Sequence, residues 1–331
     1  MAIAAQAFSP KDWKVGILNE ATAGTSVLTA LADFLQLDVD SIGFPSLNVT
    51  QKLDVKSGAG RTLKDEDFFQ DNIMRVAEFS LSGTLHNDAA HLLLVKNICN
   101  DITNEIAVAS GFTPVSQIYG SAATNSASSL TVIFQPSSVT NQQAMEFEGC
   151  IVTSFSITAD ANSDGGQYKW SATFQTGRKP DLASVVMPNA ITAYANTTIP
   201  LLSSSSAHEV FDVPVVMSSF TATIESPGVF TGMSTNGYQV ASRGAECSVT
   251  AETQVKYDAN TKGFINSFDT QTAAFNGASM FKIVNDAAYG VDIKNGVFTN
   301  VALSEGDIMM LDCSIKSVDD GTDDLISIDI A

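Results

Sequence analysis

Positive charge is scarce in this sequence. Seventeen lysines and arginines stand against 36 acidic residues, giving a formal net charge of −19 and a pI near 4.3. A surface this acidic repels phosphate, which argues against tight nucleic-acid binding but suits a surface that DNA must pass without sticking. Histidine is scarcer still. His86 and His91 are five residues apart, a poor match to a metal-binding i, i+4 pair, and with His208 they are expected at the surface or half-buried. The four cysteines, Cys99, Cys150, Cys247 and Cys313, show no short metal-ligand spacing and are expected as free, buried thiols. No apolar run approaches the ~18–20 residues of a membrane span. Residues 1–14 lack a basic stretch followed by an apolar one, so no signal peptide is expected and the protein is expected to be made in a cytoplasm.

Catalytic motifs are missing as well. There is no G-x-S-x-G elbow, no phosphate loop and no G-x-G-x-x-G after a strand. Ser57-Gly58-Ala59-Gly60 is too short to cradle phosphate. Asp160 with Asp164-Gly165-Gly166 lacks the later glutamate of a calcium loop and reads as a hairpin turn. The carboxylates of 319–324 read as a solvated loop. No activated group with a partner stands out, so neither an enzyme nor a cofactor is expected.

What the chain does contain is strand pattern. Hydrophobic content is 44% and charged content 16%, enough apolar material at 331 residues for two domains with their own cores. The acidity is spread over both halves: eleven basic against eighteen acidic residues up to Pro180, and six against eighteen after it. Alternation is clearest at residues 146–159, followed by the turn 162–166 and a return strand in which Tyr168, Trp170, Ala172 and Phe174 share one face. Upstream lie a strand at 46–53, a long loop at 54–72, a strand at 74–83, a helix at 89–99 capped by Asn87 or Asp88, and a strand at 130–134. The same order returns between 213 and 317: strand 215–224, loop 226–237, strand 245–252, a helix near 263–268 capped by Asp258, strand 281–284, and a hairpin of 293–303 with 308–315. An internal repeat of this kind predicts two tandem β domains. The expected division is an arm at 1–41, domains at 42–180 and 213–331, and a linker at 181–212.

Phe147-Glu148-Gly149-Cys150-Ile151-Val152-Thr153-Ser154-Phe155-Ser156-Ile157, its return strand 168–174 and the closing Thr176-Gly177-Arg178 resemble the major tail tube protein of a tailed bacteriophage. The loop at 54–72 is similar to that family's ring-stacking loop. The resemblance implies a mainly β fold of two tandem sandwich or half-barrel domains, each flanked by a short helix. It implies copies that close into rings by joining their sheets, and rings that stack into a hollow tube of the virion tail, assembled in the host cytoplasm. Implied partners are other copies of the chain, tape-measure, tail-terminator and distal-tail proteins, and double-stranded DNA passing through without specific binding. Most such subunits carry one tube domain in a six-chain ring; a duplicated one implies three chains with pseudo-sixfold symmetry. Expected ring-stacking residues are Lys56, Arg61, Lys64, Asp65, Glu66, Asp67, Phe68 and Phe69, and Glu146, Glu148, Asp292 and Asp312 are expected in the bore. The rival expectation is a two-domain adhesin or decoration module that binds glycan through Phe68-Phe69 or Tyr168 and Trp170.

Overall fold

In the computed structural model, β-strands carry most of the described residues. It describes residues 10–20, 34–44, 50–53, 68–71, 77–98, 129–136, 144–178, 199–234, 237–243, 247–275, 279–285, 289–319 and 325–330. The first half contains β1 (Trp13–Asn19), β2 (Leu35–Leu37), β3 (Ser41–Gly43), β4 (Thr50–Leu53), β5 (Phe68–Asp71), β6 (Ala77–Thr84), helix α1 (Ala89–Ile98), β7 (Leu130–Pro136), β8 (Met145–Asp160) and β9 (Lys169–Thr176). The second contains β10 (Ser205–Val210), β11 (Val213–Pro214), β12 (Met217–Glu225), β13 (Gly228–Ser234), β14 (Gly237–Arg243), β15 (Ser248–Lys256), helix α2 (Gly263–Thr270), β16 (Phe281–Asn285), β17 (Tyr289–Ile293), β18 (Gly296–Ser304), β19 (Met310–Ser317) and β20 (Ser327–Ile330).

The halves repeat one topology, pair for pair. In the first, β1 pairs with β2 and β7, β3 with β6, β4 with β5, β6 with β9, and β8 with both β7 and β9. In the second, β10 pairs with β11 and β16, β12 with β15, β13 with β14, β15 with β19, β16 with β17, and β18 with β19. The bent strand β8 of the first half corresponds to the two strands β17 and β18 of the second. Even a local irregularity is shared. A β-bulge falls between Val152 and Ser154 in one half and between Phe298 and Asn300 in the other. The extra residue is a threonine in both, and its hydroxyl donates to the carbonyl across the ladder: Thr153 to Thr173 at 3.3 Å, Thr299 to Ser314 at 3.2 Å. Bulges re-aim a strand, and one recurring with the same side-chain bond marks equivalent positions.

The repeat is larger than the sequence implies. β1 lies inside the segment expected to be an arm, yet it pairs along its whole length with β7 and belongs to the first sandwich. β10 lies in the expected linker and does the same job in the second. Within the expected loop 54–72, residues 68–71 form β5 of a ribbon, with Phe68 and Phe69 opposite Leu53 and Lys52; residues 54–67 and 72 lie outside the described residues. The loop at 226–237 is likewise a ribbon, β13 with β14. Asp258 does not cap α2; its carboxylate accepts from the backbone of Asn260 and Thr261, forming a turn before the helix, whose cap is Lys262. Asp88 does cap α1, accepting from the His91 amide at 2.9 Å. β20 extends the second small sheet, and no strand described in the first half corresponds to it.

Each domain is a sandwich, its core lying between a small sheet and part of one large sheet. In the first, Phe79 stacks on Phe174 with ring centroids 5.0 Å apart, and Phe134 and Phe147 meet its ring at 5.4 and 5.3 Å. In the second, Phe264 stacks on Phe298 at 5.9 Å, bringing α2 onto β18. Truncating Phe79 to alanine removes the ring shared by three others. The expected cost is about 3–5 kcal/mol in urea unfolding, against a change within about 0.5 kcal/mol for the exposed Ser80→Ala.

Candidate functional site

The feature that organises the molecule is an eight-strand antiparallel sheet running through both domains in the order β18-β19-β15-β12-β8-β9-β6-β3. The domains meet where β8 pairs with β12, from Ser154 opposite Glu225 to Asp160 opposite Ser219. The ladder continues one bond beyond each end, from the Ala161 amide to the Ser218 carbonyl at 2.8 Å and from the Ser226 amide to the Thr153 carbonyl at 2.9 Å. Beneath it, Ile157 and Phe155 lie opposite Ala222 and Ile224, all four buried. Tyr168 of the first domain meets Phe220 of the second edge to face at 5.2 Å, and its hydroxyl bonds to Ser205 at 3.0 Å. Burial pushes the Tyr168 hydroxyl above its ordinary pKa, with the Ser205 bond partly opposing. The junction is therefore a continuation of sheet and core rather than a hinge.

β8 can serve two sheets because it bends. Its first residues pair with β7 in the small sheet and the remainder with β9 and β12 in the large one. Gly149 at the bend has φ 63°, a left-handed conformation that favours glycine. The carboxylate of Glu20, just past β1, is buried there and accepts from the Gly149 amide at 2.7 Å and from the hydroxyls of Thr131 and Ser129. At the far side of the bend Arg178 forms an ion pair with Glu148 at 3.1 Å, and the Thr176 hydroxyl donates to the Glu148 carbonyl. The Thr176-Gly177-Arg178 stop at the end of β9 thus clamps its neighbour β8.

One face of the large sheet is apolar and buried; the other is dominated by hydroxyls. Its rows run across both domains. Ser41, Ser82, Ser171, Ser156, Thr223 and Thr250 lie side by side on six successive strands. The next row carries Thr158, Thr221, Glu252 and Ser314. Carboxylates on this face (Glu78, Asp160, Glu225, Glu252, Asp312) outnumber lysines (Lys169, Lys256, Lys316). Short hydroxyl side chains leave a flat surface with few long cations able to reach phosphate.

Of the four carboxylates expected to line a bore, Asp312 lies on this face, accepting from Gln254 Nε2 at 2.9 Å. The others lie elsewhere. Glu146 is fully buried, Glu148 is clamped by Arg178, and Asp292 sits on β17 of the small sheet, where burial raises its pKa. Of the expected stacking residues, Lys56, Arg61, Lys64, Asp65, Glu66 and Asp67 lie outside the described residues. Phe68 and Phe69 are in β5 of the ribbon. Tyr168 and Trp170, the aromatics a glycan platform would need exposed, are 0% and 2% exposed.

Two of the three histidines depart from expectation, while His208 is half-buried. His86 and His91 are both buried, with ring centroids 5.8 Å apart; His86 pairs with Asp38 at 2.6 Å and His91 with its own cap Asp88 at 2.8 Å. Asp38 is 48 residues from His86 in sequence, so that pairing has no local signature. Among the described residues no group of three His, Cys, Asp or Glu side chains could hold a metal ion, and no helix is long and apolar enough to cross a membrane. The chain matches no protein-family model and no curated protein.

Cys150 and Cys313 are buried and free; burial pushes Cys313 up to about 12 and raises Cys150 as well. Since the thiolate is the reactive species, neither modifies in the folded protein at mildly alkaline pH, whereas the part-exposed Cys247 does. Mass spectrometry after brief maleimide treatment should find label at Cys247 and none at Cys150 or Cys313, and label at all three once the protein is unfolded.

Proposed function

We infer that this protein is a structural subunit that polymerises into stacked rings forming the hollow tail tube of a bacteriophage, three chains to a ring. The single observation that carries this reading is the large sheet. Two sandwiches of the same topology are joined by edge-strand pairing, and the joined sheet ends in one edge strand from each domain, β18 and β3. A contact between two different surfaces of the same unit is head-to-tail. Repeated, it either closes into a ring or runs on as a filament. Two domains per chain let three chains occupy six places.

The hydroxyl-rich face, continuous across both domains, is the surface such a ring presents to its bore. With carboxylates in slight excess over lysines, it offers DNA phosphates no cationic track, and passage needs no specific contact. Tape-measure, tail-terminator and distal-tail proteins are the partners that a tube of this kind requires. The adhesin alternative loses one of its two aromatic candidates with the burial of Tyr168 and Trp170. Negative-stain microscopy of the purified protein tests the reading. Rings or hollow tubes are expected; dispersed monomers at high concentration would overturn it and favour the binding module.

A further inference from the structure

The junction between the two domains is also a template, because its halves recur at the two ends of the large sheet, where no described strand pairs with them. The shared bulge fixes the correspondence. Counting along β8 and β18 from Thr153 and Thr299, Ile157 corresponds to Leu303 and Thr158 to Ser304. Counting across β9 and β6 on one side, and β19 and β15 on the other, brings Ser219, Phe220 and Thr221 of β12 onto Ser41, Ile42 and Gly43 of β3. Ala222 then falls on Phe44.

Exposure follows the same correspondence. At the internal junction Ile157 lies opposite Ala222, 1% and 3% exposed. Their counterparts Leu303 and Phe44 are 48% and 40% exposed, one at each end of the sheet. Tyr168 is 0% exposed and packs on Phe220; its counterpart on β19 is Met309, 50% exposed, and the counterpart of Phe220 is the part-buried Ile42. The residues that the second domain covers in the first are the ones left bare in the second, and the β3 edge bears the apolar residues able to cover them. The start of the β18 edge is taken up by Phe275 at Gly296 and by Gln271 at the Phe298 amide, upstream of Leu303. Two edges of matching register, each with an exposed apolar residue at the equivalent position, are an assembly surface rather than a protected rim.

We propose that β18 of one copy pairs antiparallel with β3 of the next in the register of β8 and β12, placing Leu303 against Phe44, Ser304 against Gly43 and Met309 over Ile42. This occupant is a second copy of the same chain, since the covering surface is one the chain already carries and already uses once internally. The contact deepens the tube reading by naming the edges that join, although it also stands without stacking of rings. It makes the association sequential and directional, with one donor edge and one acceptor edge per chain.

Directly opposed residues in an antiparallel pair have Cα atoms about 4.5–5.5 Å apart, within disulfide range. The test is oxidation of the assembled double variant Leu303→Cys with Phe44→Cys, in a background carrying Cys99→Ser and Cys247→Ser. The expected result is covalent oligomers of two and three chains on a reducing-agent-free gel. Leu303→Cys with Ser80→Cys, one strand further in, should give at least tenfold less. A second variant, Leu303→Asp, should keep its circular dichroism and unfolding midpoint and fail to assemble. Assembled protein in which the 303–44 pair does not cross-link, or cross-links no better than the 303–80 pair, overturns the contact and leaves the tube reading standing; so does Leu303→Asp protein that assembles as before. Cross-linked closed rings that never stack into tubes overturn the tube reading and leave the contact standing.

Discussion

An unpaired strand edge is the constraint from which the rest of this molecule follows. A row of backbone donors and acceptors must be bonded by something, and a long open edge pairs with whatever reaches it. Here the β8 edge of the first domain is satisfied by β12 of the second, with backbone bonds running from Thr153 to Ala161 and a buried apolar layer directly beneath. That contact turns two sandwiches into one body. The Glu20 carboxylate, the left-handed Gly149 and the Arg178 clamp all hold the bend that delivers β8 to the junction. In the proposed assembly, duplication has a mechanical meaning, since the junction between two like domains is the pattern for the contact between copies.

The two faces of the large sheet divide the work. The apolar face is consumed by the cores, through Phe79 and Phe174 in one domain and Phe298 in the other. The opposite face is left to serine and threonine, whose small hydroxyls satisfy one another or water; Ser156 and Ser171 meet at 2.7 Å across neighbouring strands. The charge that gives the chain its −19 is only partly on this face. In the proposed tube, a bore of this composition would work by offering little to bind rather than by strong repulsion.

Much of the fold was legible in local pattern. The alternation of Tyr168, Trp170, Ala172 and Phe174 places all four in the core, and the apolar stripe of α1 buries Leu94, Val95 and Ile98. The order of the repeat was legible for the same reason, since it rests on strands whose period is intact. What escaped depends on partners distant in sequence. β1 reads as a short strand in an arm and β10 as part of a linker, because each is completed by a strand far along the chain, β7 or β16. The β13–β14 ribbon is framed by Gly228 and Gly237 and reads as a loop. Glu146 and Glu148 share parity with Ser154 and Ser156, but the bend at Gly149 and the bulge at Thr153 intervene, so alternation does not carry them onto the hydroxyl-rich face. The bulge threonines, Thr153 before Ser154 and Thr299 before Asn300, take their role from the ladders and not from local alternation.

The central claim is that each chain fills two of six equivalent places around a bore. A cryo-EM map of the assembled tube, resolved well enough to trace one ring, measures this directly. The account predicts three chains per ring, with the sheet continuous across every junction. A ring of six chains, or a ring whose subunits meet without continuing the sheet, would contradict it.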